Sequence, residues 1–258
     1  MTSLSPCTCR GRGEDRDPTM PPPRFLAAGD SAVVVELGDK IDPDINARII
    51  ALDAAILAAR IPGVVETVTT YRSLLVQFDP LVLDYSAFIA DATKLAAETG
   101  AAVVKGRRWK VPVVYGGAFG IDLDDVAARH NITPSEVTRR HAGAIYRVYA
   151  IGFMPGYTYL GGLDQSIATP RRLEPRLTTP AGTISIGGIQ ALVAGDAMPS
   201  GWHLLGRTPV KTFVATRVPP VLFVPGDEVV FEPIDASRWD ALTARAADGD
   251  PIAEVVAS

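Results

Sequence analysis

Cysteine and histidine are scarce in this sequence. Its 258 residues include two cysteines, Cys7 and Cys9, and three histidines. Two cysteines so close together at one end of the chain cannot form a disulfide framework, and without another cysteine thiol catalysis is excluded. The histidines are too scattered for a metal-ligand motif. We therefore expect no metal site and a reducing, cytoplasmic environment.

Long apolar runs and long basic runs are also absent. No apolar run reaches the roughly 20 residues that a helix needs to span a bilayer. Residues 8–23 are too charged and proline-rich for a secretory signal, and Met20, followed by three prolines, is an alternative start to Met1. The formal net charge is −4, and the basic residues 105–110 are more typical of a solvated linker than of a phosphate-binding face. We expect binding to neither membranes nor nucleic acids.

A self-contained catalytic motif is missing as well. No glycine-rich loop ends in Lys-Ser or Lys-Thr, which excludes a Walker-type phosphate site. Ser185 lacks the glycine two positions earlier that the nucleophile elbow of a hydrolase requires. What the sequence offers instead is a binding surface, which we expect to work alongside another polypeptide.

The pattern of the remaining chain predicts two domains after a disordered tail at residues 1–23. Residues 24–106 alternate β-rich runs with two helical apolar patterns in the order β-α-β-β-α-β. This order predicts an α+β, ferredoxin-like domain, with residues 102–104 as its last strand. Residues 107–258 show short strands between glycine and proline turns, which predicts a β-barrel.

Within the barrel domain, helices are predicted over residues 123–130 and 134–143, with Thr133 as the cap of the second. A terminal helix is predicted over residues 235–247. The predicted strands are residues 146–151, 183–186, 191–193, 221–224 and 228–231. A tight turn is predicted at residues 225–227.

Residues 151–209 are the candidate binding region. Their glycines and prolines exclude a helix, and shaped loops on a scaffold commonly carry function. Arginines in this region offer planar donors for a carboxylate or a phosphate; these are Arg171, Arg172, Arg176 and Arg207. Each arginine can instead pair with an acid of the same region, namely Asp164, Glu174 or Asp196. For Arg207, between Gly206 and Thr208, the functional role is favoured.

Two further side chains and one backbone segment are also candidates. Trp202 can wall a pocket or belong to the core. His141, at the end of a predicted helix, can act as acid or base near neutral pH, or be a satisfied structural histidine. Gly152, Pro155 and Gly156 impose a special backbone path, along which exposed N–H groups can receive an anion.

Short motifs along residues 24–233 together resemble those of a single family. They occupy residues 116–123, 140–141, 146–149, 152–160, 170–172, 175–176, 180–182, 201–202, 206–209 and 225–227. The family that they resemble is the B subunit of 5-oxoprolinase, also called KipI or allophanate hydrolase subunit 1. The chain departs from the usual pattern at residues 194–195 and 199–202, so its substrate specificity can differ.

The resemblance implies an α+β domain followed by a cyclophilin-like β-barrel. It implies a non-autonomous subunit of 5-oxoprolinase, which uses ATP and water to convert 5-oxoproline to glutamate, ADP and phosphate. The implied partners are the other two 5-oxoprolinase subunits, a KipA-type C subunit (allophanate hydrolase subunit 2 type) and an A subunit. ATP with Mg²⁺ then acts at the level of the complex, and no cofactor is expected to bind this chain tightly.

The expected site is based both on the residue types in the candidate region and on the family resemblance. Arg207 and His141 are the expected catalytic residues. The expected substrate contacts are Phe153, Pro155, Gly156, Arg171, Arg172, Arg176, Gln190 and Trp202. Backbone N–H groups near Gly156 or at residues 187–188 are the expected oxyanion donors.

Other functions are also compatible with this sequence. One is a regulatory binding module of the KipI type, which inhibits a sensor histidine kinase. Another is a component of an allophanate hydrolase-like amidase. A prolyl isomerase is disfavoured, because no aromatic-plus-arginine motif of true cyclophilins is present.

Overall fold

The structure of the protein, a computed structural model, describes residues 22–99 and 106–257. Most of the predicted tail and the predicted strand at residues 102–104 lie outside these ranges. The N-terminal unit contains four strands and two helices: β1 (Arg24–Ala27), β2 (Ala32–Glu36), α1 (Pro43–Ala59), β3 (Val64–Thr69), β4 (Ser73–Phe78) and α2 (Tyr85–Glu98). The strands form one antiparallel sheet in the order β1-β2-β4-β3.

Helix α1 shows how local sequence produces this unit. The Asp42 side chain accepts hydrogen bonds from the backbone N–H groups of Asp44 and Ile45, which caps the first turn. Pro43 occupies the first helical position, where no N–H donor is needed. The buried face of α1 packs on the sheet through residues spaced three and four apart; these include Ile45, Ile49, Leu52 and Ile56.

The predicted order of elements is confirmed from β2 to α2. The edge of the sheet beside β2 is filled by β1, a strand that the sequence did not predict. The strand predicted to close the ferredoxin-like arrangement falls outside the described residues. The ferredoxin-like assignment therefore stays a prediction, whereas the α+β character of this unit is established.

The second unit is a closed barrel with short helices at its ends. Its strands are β5 (Arg108–Tyr115), β6 (Tyr146–Ile151), β7 (Thr158–Gly161), β8 (Arg176–Thr179), β9 (Thr183–Gly187), β10 (Gln190–Val193), β11 (Met198–Ser200), β12 (His203–Arg207), β13 (Glu228–Pro233) and β14 (Glu254–Val256). Its helices are α3 (Leu123–Arg129), α4 (Pro134–Ala142) and α5 (Trp239–Ala247). Both predicted helices before β6 are confirmed, and Thr133 caps α4 as expected.

Seven strands close the barrel in the order β5-β12-β9-β10-β7-β6-β13, and β13 returns to β5. The β13–β5 pair is parallel, whereas β12 pairs antiparallel with the end of β5. Strand β14 adds to the other half of β5, and β8 with β11 forms a separate two-stranded ribbon. The strand predicted at residues 221–224 is absent; only an isolated bridge joins Val221 to Phe213.

The barrel interior is filled by alternate residues of its strands, including Val113, Val148, Ile184 and Ile186. A cyclophilin-like barrel fits this arrangement. The predicted turn before β13 is confirmed, with Gly226 at a positive φ of 93°.

The two units meet at the turn between β3 and β4. Asn46 is buried, and its Nδ2 donates to the carbonyl oxygens of Thr70 and Tyr149, both at 3.1 Å. The Tyr71 ring contacts the edges of Tyr149 and Tyr159, with ring centroids 5.7 and 5.8 Å apart. One side chain of the first unit is thus bonded to the backbone of both units.

Candidate functional site

Two of the four arginines of the candidate region are committed to a buried acid. Arg176 donates two hydrogen bonds to Asp122, at 2.8 and 2.6 Å, and Arg172 donates one at 3.2 Å. Asp122 is 1% exposed and also accepts from the backbone N–H of Leu204. A buried carboxylate needs such partners, because leaving it unpaired is costly. Arg172 and Arg176 therefore hold residues 170–177 to the barrel instead of presenting free donors to a ligand.

This pairing was not among those the sequence suggested. Asp164, Glu174 and Asp196 were the expected acidic partners, whereas the observed partner, Asp122, lies 50 residues before Arg172. A contact at such a separation in sequence leaves no local pattern.

His141 lies in the core at the end of the barrel. It is 0% exposed, and its Nδ1 is hydrogen-bonded to the Tyr115 hydroxyl at 2.8 Å. Its ring stacks on Phe231 with centroids 4.9 Å apart. Burial lowers the pKa of His141 to about 3. A neutral, enclosed imidazole has no access to a ligand, so the structure gives His141 a packing role and not the expected catalytic one.

Trp202 belongs to a second apolar cluster, which covers the outer face of the barrel. Its partners there are Tyr157, Leu192, Ala194 and Met198. Gly187 makes room for the indole, because an added Cβ would lie 2.7 Å from the Trp202 ring. The Arg171 guanidinium lies over the same ring, 5.4 Å from its centroid. Trp202 and Arg171 are thus brought together, with Trp202 as core and Arg171 at the surface.

The other predicted contacts are divided between this cluster and a cleft. Gln190 is buried at the start of β10, where Gly187 is its cross-strand partner. Phe153 is 70% exposed, adopts a positive φ of 72°, and contacts the edge of Tyr157. Such a conformation is unfavourable for an aromatic residue and is typical of functional segments.

Gly156 also adopts a positive φ, of 70°, and packs closely on Thr212. An added Cβ would lie 2.5 Å from the Thr212 hydroxyl oxygen, so only glycine fits there. Of the expected oxyanion donors, Gly188 is already used, since its N–H donates to the carbonyl of Thr169 at 2.7 Å.

The cleft that contains Arg207 has a volume of about 440 Å³, which is in the range of small-molecule sites. The end of β12, two glycine-containing loops, the segment after β12 and helix α5 form its walls. The lining residues are Pro155, Ala181, Gly182, Gly195, Asp196, Arg207, Thr208, Pro209, Val210, Lys211, Phe213, Trp239 and Thr243. Two predicted site residues, Arg207 and Pro155, therefore meet in one cavity.

Arg207 is held on two sides. Its Nε and Nη2 donate to the Ala181 carbonyl at 3.1 and 2.9 Å, and its guanidinium lies over Trp239, 4.9 Å from the ring centroid. Burial lowers the pKa of Arg207 from its usual value, but a guanidinium remains charged at neutral pH. Lys211 adds a second cation to the lining and Asp196 a single acid. The cleft is suited to a small anion.

Apart from Arg207 and Pro155, the lining residues were not predicted as site residues from the sequence; among them are the charged Asp196 and Lys211, and Trp239 and Thr243 on α5. The sequence predicted the terminal helix α5, but it did not predict that this helix lines the cleft. The available signal was an aromatic residue at one end of a short amphipathic helix, which is equally typical of plain packing.

A smaller depression of about 290 Å³ lies on the N-terminal unit. Asp30 is the one charged residue in a lining that is otherwise Ala27, Gly29, Ala32, Phe78, Pro80, Leu83 and Tyr85. It offers no cation and little hydrogen-bonding capacity, so the Arg207 cleft is the stronger candidate.

Residues 22–99 and 106–257 contain no group of three or more His, Cys, Asp or Glu residues placed to hold a metal ion. Within the same ranges, none of the helices has the length and apolar character required to cross a bilayer.

Comparison with known proteins gives consistent matches. Residues 23–223 match the family described as carboxyltransferase domain, subdomain C and D. The 5-oxoprolinase B subunit of Bacillus subtilis (strain 168) is 34% identical over 224 residues, which are 83% of this chain and 93% of that protein. The 5-oxoprolinase B subunit of Escherichia coli O157:H7 is 38% identical over 213 residues, covering 81% of this chain and 95% of that protein.

A solved structure shares the fold. The crystal structure of TTHA0988 aligns with a TM-score of 0.71 at 30% identity over 80% of this chain. The aligned region is 40% of the TTHA0988 chain, so this chain spans less than half of that protein.

Proposed function

Because this chain belongs to the family of 5-oxoprolinase B subunits, we propose that it is one component of an ATP-dependent amidohydrolase that acts on 5-oxoproline. In the proposed reaction, one water cleaves the amide C–N bond of the lactam to give glutamate, and a second water is consumed as ATP is converted to ADP and phosphate. The name shared by the relatives supports the hydrolase class. Since the sequence contains no self-contained catalytic motif, we propose that the chain acts only within a complex.

The observation that carries this proposal is the position of Arg207. Its guanidinium lines the 440 Å³ cleft and is anchored by Ala181 and Trp239 before any ligand arrives. A preorganised guanidinium is well suited to the carboxylate of 5-oxoproline, because planar bidentate pairing gives both energy and orientation. We assign this role to Arg207, and we place the reacting amide beside Pro155, which lines the same cleft.

We propose that the ATP of the reaction binds outside this cleft. Its lining has two cations, Arg207 and Lys211, and one acid, Asp196. A triphosphate with Mg²⁺ normally requires a dedicated phosphate cradle and metal ligands. ATP supplies the phosphoryl group that makes a stable amide reactive, and we propose that another polypeptide of the complex binds it. No step of that chemistry is assigned to residues of this chain.

The partners are part of the proposal. We propose a KipA-type C subunit and an A subunit of 5-oxoprolinase, in a cytoplasmic complex. The word subunit in the relatives' names supports an assembly. TTHA0988 supports it as well, since this fold occupies 40% of that longer chain and leaves room for a second unit.

The proposal predicts that glutamate release requires the complex, ATP and Arg207. The chain is co-expressed with the two proposed partners, and glutamate formation from 5-oxoproline is measured with and without ATP. We expect Arg207→Ala to lower kcat/KM at least tenfold, because the substrate carboxylate loses its partner. Arg207→Lys keeps the charge but loses the planar pair of donors. Its kcat/KM should fall between those of the parent protein and Arg207→Ala.

Arg139→Ala is the matched control. Arg139 is an exposed arginine on α4 that pairs with Glu136 and lies outside the cleft lining. Its substitution should leave turnover unchanged. Normal turnover in Arg207→Ala would remove Arg207 from the site, and no ATP-dependent glutamate release from an intact complex would refute the proposed reaction.

A further inference from the structure

Helix α5 forms one wall of the Arg207 cleft and lies after the region that matches the carboxyltransferase domain. Trp239 and Thr243 both line the cleft, and the match to the carboxyltransferase domain ends at residue 223. Residues four apart lie on the same face of a helix. This wall is therefore a continuous helical face supplied by a segment outside the matched domain.

The wall is held rigidly against the barrel. Leu242 and Ala246, on the adjoining face of α5, are buried in the barrel core. The Trp239 ring also packs on Phe119, with centroids 4.8 Å apart. A side chain fixed by packing on both sides holds a functional group more precisely than a side chain on a free loop.

Trp239 acts on Arg207 through geometry. The Nε and Nη2 donors on one edge of the guanidinium are occupied by the Ala181 carbonyl. The Trp239 ring lies over the guanidinium, 4.9 Å from Cζ. Nη1 makes no hydrogen bond to any residue in the described ranges. The edge formed by Nη1 and the second N–H of Nη2 remains available, and a carboxylate can bind there in the plane of the group.

The charges and the hydroxyl groups of the lining restrict the ligand further. Two cations face one acid in the cleft, which favours a ligand with a single negative charge. The Thr243 hydroxyl makes no hydrogen bond to another described residue and can therefore serve a polar group of the ligand. The other lining hydroxyl, that of Thr208, already accepts from the Val210 N–H. Several of the remaining lining side chains are apolar, namely Pro155, Pro209, Val210 and Phe213.

We propose that helix α5 determines the specificity of this cleft. Trp239 is a positioning residue that fixes the plane of Arg207, and Thr243 contacts the uncharged polar part of the ligand. The ligand class is a small monocarboxylate with a compact ring that carries an amide. The amide part of this ligand class rests on the proposed function. The carboxylate site at Arg207 does not depend on it.

The experiment compares variants of the wall in the complete complex and in the purified full-length chain. Trp239→Leu removes the aromatic face, Trp239→Phe keeps one, and Thr243→Val replaces the hydroxyl by a methyl group. Asp240→Asn changes an exposed residue of α5 outside the cleft lining and is the control. Each complex is assayed for KM and kcat with 5-oxoproline. Binding of 5-oxoproline, of cyclopentanecarboxylate and of 2-pyrrolidinone to the chain is measured by NMR.

We expect Trp239→Leu to raise KM about tenfold with kcat changed less than about threefold, because the misplaced guanidinium weakens carboxylate binding. Trp239→Phe and Asp240→Asn should stay near the parent protein. Thr243→Val should weaken 5-oxoproline binding roughly fivefold, the value of one hydrogen bond, and leave cyclopentanecarboxylate binding unchanged. 2-Pyrrolidinone, which lacks the carboxylate, should bind much more weakly than 5-oxoproline.

Unchanged KM and binding in both Trp239→Leu and Thr243→Val would overturn the inference. Trp239→Leu can damage the end of the barrel, so the fold of this variant is checked by circular dichroism. If Trp239→Leu does not fold, the variant of the exposed Thr243, Thr243→Val, provides the decisive result. Turnover of 5-oxoproline with unaffected wall variants would leave the proposed function standing without this inference. If carboxylate binding depends on Trp239 but the complex does not hydrolyse 5-oxoproline, this inference stands and the proposed function is refuted.

Discussion

At the scale of single residues, the environment decides between roles that the sequence leaves open. Arg207 and Arg176 are both arginines in glycine- and proline-rich loops, yet one lines a cleft and the other neutralises Asp122. The sequence favoured a functional role for Arg207, which lines the cleft, and that role stays a prediction. The sequence did not reveal the partner of Arg172 and Arg176, because Asp122 lies about 50 residues before them.

His141 gives a residue-scale prediction about pH. Its pKa is about 3 in the folded protein, because burial disfavours the charged ring, against an ordinary value of 6.5. The unfolded chain therefore binds a proton that the folded chain rejects once the pH falls below about 6.5. The free energy of unfolding should decrease by up to about 1.4 kcal/mol per pH unit from this group between pH 6.5 and pH 3, and this loss should be absent above pH 6.5.

The measurement is urea unfolding at pH 7, 6 and 5. His141→Phe, which cannot be protonated, should show a shallower loss of stability than the parent protein over this range. His130→Phe is the comparison variant, because His130 is partly exposed. The pH dependence of its free energy of unfolding should stay close to that of the parent protein. Identical pH dependence in His141→Phe and the parent would contradict the buried, neutral histidine.

At the scale of elements, the local patterns were sufficient for the helices and for several strands. Apolar spacing identified α1 and α2, and the Thr133 cap supported α4, because these signals are contained in a few neighbouring residues. Strand β1 has an irregular burial pattern with little alternation, so it left no such signal. The strand predicted at residues 221–224 has the right residue types, but its only partner is the bridge to Phe213.

Asp122 links elements that are distant in sequence and gives an element-scale prediction. Asp122→Ala leaves two guanidinium groups and the Leu204 N–H without their shared acceptor. Because breaking a buried ion pair from one side is costly, we expect a loss of about 3–5 kcal/mol in the free energy of unfolding. Urea unfolding monitored by circular dichroism measures it.

Glu136→Ala provides the matched control for Asp122→Ala. Glu136 also pairs with two arginines, Arg139 and Arg140, but on the surface of α4. Its loss should cost much less stability than the loss of Asp122, because the Glu136 side chain is 26% exposed and its ion pairs are screened by solvent, whereas Asp122 is buried. Similar effects of the two substitutions would show that burial is not what makes the Asp122 pairing important.

At the scale of the whole molecule, the apolar core of the N-terminal unit is separate from that of the barrel interior. Asn46 links the two units, because its amide donates to the carbonyl of Thr70 in one unit and to that of Tyr149 in the other. The sequence marks Asn46 only as a polar residue on an apolar helical face. Nothing in its neighbourhood reveals a partner 103 residues away.

This junction can be tested optically, because the three tryptophans, Trp109, Trp202 and Trp239, all belong to the barrel unit. Tryptophan fluorescence therefore reports on the barrel, whereas far-ultraviolet circular dichroism reports on both units. We expect coincident urea transitions in the parent protein. In Asn46→Leu, which removes the amide donor from the part-buried Thr70 carbonyl and the buried Tyr149 carbonyl, the two transitions should separate, with about 1–3 kcal/mol of coupling lost.

Asp91→Asn, an exposed substitution on α2, should keep the transitions together. Coincident curves in Asn46→Leu as well would mean that other contacts between the units are sufficient to couple them.

The parallel pairing of β5 with β13 has a consequence for synthesis of the protein. These strands begin the barrel and nearly complete it, and their paired residues, such as Arg108 and Glu228, are 120 positions apart. The ring cannot close until Pro233 has left the ribosome, whereas the N-terminal unit has all its described strands available much earlier. Domains fold as they emerge, and distant pairings form slowly. Every nascent chain therefore passes through a stage in which the described strands of the first unit have emerged while the barrel is still an open sheet with unpaired strand edges.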